Sequence, residues 1–283
     1  MKIGISVFPT DYSISAVALA RASEERGFDS LWVTEHTHIP ASRRTPYPAG
    51  GDLPSIYWES YEPFTFLAQA AAVTETLQIG TGICLVPEHH PISLAKRAAS
   101  LDSLSKGRFL FGVGAGWNAE ELENHGVEYE ARWKVLEEHV HAMRLMWTEK
   151  AAEFHGRYVD FDPVWVEPKP VRKPGPPILI GASSRWAIER VAAWGDGWLP
   201  ALGSCDLDER MTLLRRLCNE NGRDVGRIDV SVFGPPVDRS AMEALAKQGA
   251  NRIIVVLPSI PEEEALPVLD GYAQMVEWAR ELE

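Results

Sequence analysis

Short β-branched and aromatic runs alternate with longer amphipathic segments along the whole chain, and this alternation constrains the fold more than any other feature. The candidate strands are Lys2–Phe8, Ser30–Glu35, Gln78–Val86, Arg108–Gly114, Pro177–Gly181, Gly197–Ala201, Asp229–Phe233 and Arg252–Leu257. Helical segments fall between them at Ser13–Gly27, Pro63–Thr76, Pro91–Ser105, Tyr129–Glu149, Arg185–Trp194, Leu207–Asn221, Arg239–Gln248 and Glu262–Leu282. Several ends carry stop signals: Gly27, the Ser105–Lys106–Gly107 run and Asn221–Gly222. Repeated βα units in 283 residues describe an α/β fold, a TIM (β/α)8 barrel. No composition shift or low-complexity linker divides the sequence, so the expectation is one barrel domain over residues 1–283 with insertions near 38–62 and 154–176.

Three connections are not simple turns. The stretch His38–Glu62 is rich in Pro, Gly, Ser and aromatics and follows the second strand. Pro87–His90 is short and ends the third strand on Glu88, His89 and His90, whereas Phe154–Pro176 is proline-rich and leads into the fifth. The first two leave strand C-termini, where barrel active sites are built. Loops beyond about 12–15 residues in a compact domain are usually functional. Within the third, Tyr158–Phe161 and Val164–Val166 are expected to pair as a small hairpin.

Charge narrows the partners. With 28 basic and 40 acidic residues the net charge is −12, which disfavours nucleic acid and anionic membranes and leaves a small molecule as the expected partner. Any anionic ligand needs a local cluster. Cys84, Cys205 and Cys218 form no CxxC pair, and the N-terminus lacks signal-peptide character, so the sequence fits a reducing cytoplasm.

The run Ser30–His36, SLWVTEH, starts as a buried-type strand and breaks into Thr34, Glu35 and His36. A histidine at a strand C-terminus can move a proton near neutral pH, although a core-edge histidine satisfied by backbone would read the same way. Strand alternation gives Glu35 the opposite face and a different role. The fourth strand ends in GVGAGWN, whose glycines, Gly114 among them, let a flat ligand approach the backbone or simply relieve packing. This run lacks the final glycine and closing acid of a dinucleotide fingerprint. After the fifth strand, GASSRWAIERVA offers Ser183, Ser184 and Arg185 at a helix start, which suits an anion or an ordinary serine cap. Gly82, before Ile83, marks a bulge or a close approach in an otherwise buried strand. Histidines 36, 38, 89 and 90 with Glu35, Glu59 and Glu88 raise the question of a metal, but no spacing demands one and the first strand carries no ligands, so none is expected.

Together these stretches resemble the luciferase-like superfamily of flavin- and deazaflavin-dependent barrel oxidoreductases. The landmarks are KIGISVF, ERGFDSLWVTEH, the ordered string from IGTGICLVPEHHP through SLSKGRFLFGVGAGWN, and the pair PPILIGASS and GDGWLP. The branch that uses coenzyme F420 is the most similar, because there a histidine closes the second strand, as His36 does. The resemblance implies that His36 handles the proton beside the deazaflavin ring. It implies a non-prolyl cis peptide at Gly82–Ile83 bulging against the ring, and a phosphate held by Ala182, Ser183, Ser184 and Arg185. Glu35 and Gly114 complete the implied cofactor set, and Trp32, Trp58, Trp117 and Trp198 are candidate pocket walls or core residues. Arg43 and Arg44 are candidate partners of the coenzyme's acidic tail. The implied reaction is hydride transfer between F420 and a small organic substrate. The alternative within the fold is an FMN-dependent monooxygenase using reduced flavin and O2. A homodimer and a flavin or F420 reductase partner accompany the resemblance, although no self-complementary patch is legible.

Overall fold

The computed structural model describes residues 1–281. Among these, eight parallel strands close into a barrel. In ring order they are β1 (Lys2–Val7), β2 (Ser30–Val33), β3 (Gln78–Thr81) continued as β4 (Cys84–Leu85), β5 (Phe109–Gly114), β8 (Ile178–Ile180), β9 (Gly197–Trp198), β10 (Asp229–Phe233) and β11 (Arg252–Val256), which returns to β1. Outside stand α1 (Ala16–Glu25), α3 (Pro63–Ala72), α4 (Pro91–Leu104), α6 (Arg132–Thr148), α7 (Arg185–Ala193), α8 (Leu207–Glu220), α9 (Arg239–Gln248) and α10 (Glu262–Glu281). The expected end of the last helix, Leu282, lies outside the described residues.

The TIM-barrel expectation holds, and the differences are local. The third strand is not continuous over Gln78–Val86, because the Gly82–Ile83 peptide is cis, as the resemblance implied, and splits the strand into β3 and β4. The sixth shrinks to two residues, Ala201 keeping only a bridge to Phe233. The hairpin is shifted: β6 (Ala152–His155) pairs with β7 (Asp160–Val164), because the turn falls at Gly156–Val159 instead of between Phe161 and Val164. Two short helices were not expected, α2 (Ile56–Glu59) and α5 (Ala119–Asn124). No helix among the described residues is long and apolar enough to cross a membrane.

Helix starts follow cap chemistry: Ser15, Ser184, Asp206 and Asp238 each accept an N–H of the first turn of their helices. The main core lies between the strand ring and the helices, and a smaller one fills the barrel axis with Trp32, Leu110, Leu179, Leu199 and Ile254. Trp32 is fully buried, and a Cβ on Gly4 or Gly80 of the flanking strands would fall within 3.0 Å of its ring. Glycine on both sides therefore makes room for one large residue.

The N-terminal end of the barrel is closed by Arg252, which is 0 % exposed. Its guanidinium donates to Asp29 at 2.9 Å, both oxygens of Asp229 at 3.0 and 3.1 Å, Ser231 at 2.9 Å and Gln78 at 2.8 Å, so four strand starts share one cation. Breaking a buried charge network from one side costs about 3–5 kcal/mol. Because both aspartates keep some solvent access, Arg252→Met is expected to cost about 3 kcal/mol, near the low end of that range. Calorimetric unfolding should show Tm lower by roughly 6–12 °C.

Candidate active site

At the opposite end the strand C-termini surround a cavity of about 350 Å³, within the range of small-molecule sites. Phe8, His36, Ile83, Trp117, Arg132 and Ala182 line it, together with the backbone at Gly116 and Gly181. The sheet ends at Val33, so Thr34–His36 turn out of the ladder and carry the histidine across the mouth.

His36 is held from behind. Its Nδ1 lies 2.8 Å from Glu121 Oε2, on side chains 6 % and 1 % exposed. A carboxylate only accepts, so Nδ1 carries the hydrogen. Nε2 is then the acceptor, and it receives the Trp117 indole N–H at 3.3 Å. Tyr57 and Trp117 flank the imidazole, ring centres 5.2 and 5.8 Å away. The bonding pattern fixes the ring's orientation, with Nδ1 toward Glu121 and the Nε2 lone pair toward Trp117 on the cavity lining.

Ile83, which follows the cis peptide, lines the same cavity as His36. A Cβ on Gly114 would come 1.9 Å from Ile83 Cδ1, and one on Gly181 2.4 Å from its Cγ2. These glycines, at the ends of the next two strands round the ring, β5 and β8, leave the space that the isoleucine side chain fills. Helix α7 begins at Ser184, and among the described residues the N–H groups of Ser184, Arg185 and Trp186 meet no protein acceptor. They are the unpaired first-turn donors that every helix start leaves. Ala182 lines the cavity, while the Ser183 hydroxyl bonds to that of Ser204.

Several expected residues have other duties. Glu35 is buried, and its carboxylate accepts Leu85 N at 2.6 Å and the His89 Nε2–H at 3.0 Å. Burial alone would raise its pKa, but His89, Leu85 and Cys84 outweigh that and hold it below the usual carboxylate range. It clamps the β4 loop while also lining the cavity. Glu35, Cys84 and His89 offer ligand atoms within 4.8 Å of one another, yet Arg97 donates to His89 Nδ1, so the cluster is consumed by its own hydrogen bonds. Trp198 is not a pocket wall: it is fully buried, and its indole donates to Ala182 O. Trp58 is 51 % exposed and points outward from α2, where its neighbour Tyr57 faces His36. Arg185 is exposed and pairs with Glu189, and Arg44 with Glu120. Arg43 lies over Trp117, 5.7 Å from its ring centre.

Sequence reasoning missed Glu121, Tyr57 and Arg132. Glu121 sits on α5, a helix too short to show periodicity, although a buried acid in the acidic run AEELEN leaves no compositional trace. Arg132 opens α6 with its guanidinium 3.6 Å over the Tyr129 ring and a buried Nε that has no partner among the described residues. It places a cation at the cavity edge in an acidic protein.

Comparisons agree with this architecture. The sequence profile of the luciferase-like monooxygenase family matches residues 9–281. An uncharacterised Mycobacterium tuberculosis protein is 36 % identical over 277 residues, covering 96 % of this chain and 98 % of its own. The monooxygenase RslO1 from Streptomyces bottropensis shares the fold at a TM-score of 0.81 and 21 % identity, covering 97 % of this chain and 98 % of its own. An F420-dependent secondary alcohol dehydrogenase, solved with an F420–acetone adduct, shares it at 0.76 and 16 % identity, covering 98 % of each chain. The chain belongs to the luciferase-like monooxygenase family, a family of oxidoreductases.

Proposed function

We propose that this protein is an F420-dependent oxidoreductase that takes hydride from a small hydroxyl-bearing substrate, with His36 as the base. The observation that carries the reading is the fixed orientation of His36, whose Nε2 lone pair stands on the cavity lining while Glu121 accepts from Nδ1.

The residues fit a tricyclic cofactor with a phosphate. Ile83 is an apolar shelf for one ring face, made possible by Gly114 and Gly181. The open N–H groups at Ser184–Trp186 suit the phosphate, and Arg132 adds a cation. A bound deazaflavin supplies a carbon that accepts or returns hydride and does not pass electrons to oxygen.

The chain's own part is positioning and proton transfer. His36 Nε2 accepts the substrate hydroxyl proton, and Glu121, bonded to Nδ1, balances the positive charge that develops on the ring. Trp117 and Tyr57 hold the ring plane and exclude water from the base. The second reading, a monooxygenase using reduced FMN, is favoured by the description of the family. Both cofactors would use the same shelf and phosphate seat.

Calorimetric titration with F420 and FMN tests the cofactor, and tight F420 binding without FMN binding is the expected result; the reverse would overturn the deazaflavin reading. His36→Ala should lower kcat by roughly 10²- to 10⁴-fold while leaving cofactor Kd within about threefold. Gly114→Ala should displace Ile83, at a cost to stability of about 1–3 kcal/mol by denaturant unfolding, and weaken cofactor binding.

A further inference from the structure

Three carboxyl groups are buried around His36: Glu35, Glu88 and Glu121 are 4, 7 and 1 % exposed. Glu35 is fully engaged by the β4 loop. Thr37 ties Glu88 to Glu121: its backbone N–H donates to Glu121 Oε1 at 3.2 Å and its hydroxyl to Glu88 Oε2 at 3.3 Å. Burial first, then the charges of Glu121 and Glu35, push Glu88 up to about 9, so it carries a proton that its neighbour can share.

From Glu88 the polar chain continues outward. Thr37 Oγ1 donates to Glu88 Oε2 at 3.3 Å and lies 2.8 Å from His125 Nε2, which is itself 3.8 Å from Glu88. The His125 side chain is 27 % exposed. Glu88 and His125 also line a second cavity of about 670 Å³, distinct from the one in front of His36, with His139 and the hairpin tip at Arg157–Phe161 on its far wall. His139 is 5 % exposed with Nδ1 unpartnered among the described residues, and Glu88 Oε1 is likewise unpartnered. Burial, then His90, pushes His139 down to about 4, so it stays neutral. Buried polar atoms on a roomy cavity call for water.

Resting on the reading above, we propose that the proton exchanged at His36 travels to solvent from the back, through Glu121, Glu88, Thr37 and His125, while cofactor and substrate seal the front. As Nε2 takes a proton from the substrate hydroxyl, Nδ1 gives its own to Glu121. Glu121 passes one to Glu88, and Glu88 releases one through the Thr37 hydroxyl to His125 or water. One proton enters, one leaves, and no electrons move. When the product departs, the front opens and the histidine tautomer resets. The titratable groups facing Glu88 are Glu35 and Glu121, with His36, His38, His89 and His125 around them and Arg97 behind His89. Glu88 and His125 are positioning and relay residues, since neither touches the substrate cavity.

Solvent exchange of the His36 Nδ1 proton, followed by ¹⁵N NMR on the protein without cofactor, reads the back route directly, because that proton has only Glu121 to leave to. Exchange should slow at least tenfold in Glu88→Gln and in the surface variant His125→Ala, and added imidazole should restore the latter. In turnover with the bound cofactor, Glu88→Gln should lower kcat about tenfold with KM and cofactor Kd within twofold. Unchanged exchange in both variants, or a loss in His125→Ala that imidazole leaves untouched, would overturn the relay. Wild-type protein inactive with both cofactors would instead count against the oxidoreductase chemistry proposed above, and leaves the exchange result to decide the relay by itself.

Discussion

Fold and site both depend on one steric constraint: wherever a large side chain enters the barrel, the neighbouring strands have to give up theirs. Trp32 fills the axis because Gly4 and Gly80 flank it, and Ile83 fits at the mouth because Gly114 and Gly181, on the next two strands round the ring, leave it room. Interiors pack near the density of organic crystals, so such space is reserved in advance. The axial core and Ile83 packed against it belong to a single packing scheme, with Arg252 closing the opposite end of the barrel.

Electrostatics divides the molecule in the same direction. At the N-terminal end a buried cation satisfies acids from neighbouring strands. At the C-terminal end buried acids gather around histidines, and the two carboxylates with complete sets of donors differ from Glu88, which lacks one. Glu35 spends its charge holding the β4 loop, and Glu121 spends its charge orienting His36. Glu88 keeps a proton, because a third negative charge in that space would face two others with little solvent to screen them. The same arithmetic explains why neighbouring residues of one strand end, Glu35 and His36, do different work.

Much of this was legible in the sequence, for identifiable reasons. Alternating apolar runs and helix stops specify the barrel, since each βα unit is a local pattern. His36, Gly82 and the Ser183–Ser184 helix start stand out because they interrupt a run that would otherwise be buried strand or plain helix. Side-chain direction was not legible. Trp198 and Trp58 are both tryptophans near strand ends or loops, and only packing sends one into the core and the other to solvent. Glu121 escaped because its partner is 85 positions away and its helix is too short to advertise a face. The hairpin shifted because the turn at Gly156 competes with Pro163, and register in a short, exposed pair is weakly specified.

The central claim is that a ring-shaped cofactor rests on Ile83 in the cavity that His36 lines. A crystal structure of the protein with F420 tests it most directly. The account predicts the ring on the Ile83 shelf, the phosphate on the N–H groups of Ser184–Trp186, and His36 Nε2 facing the open side of the ring. A ring seated in the cavity beside His139, or a phosphate held away from the start of α7, would contradict it.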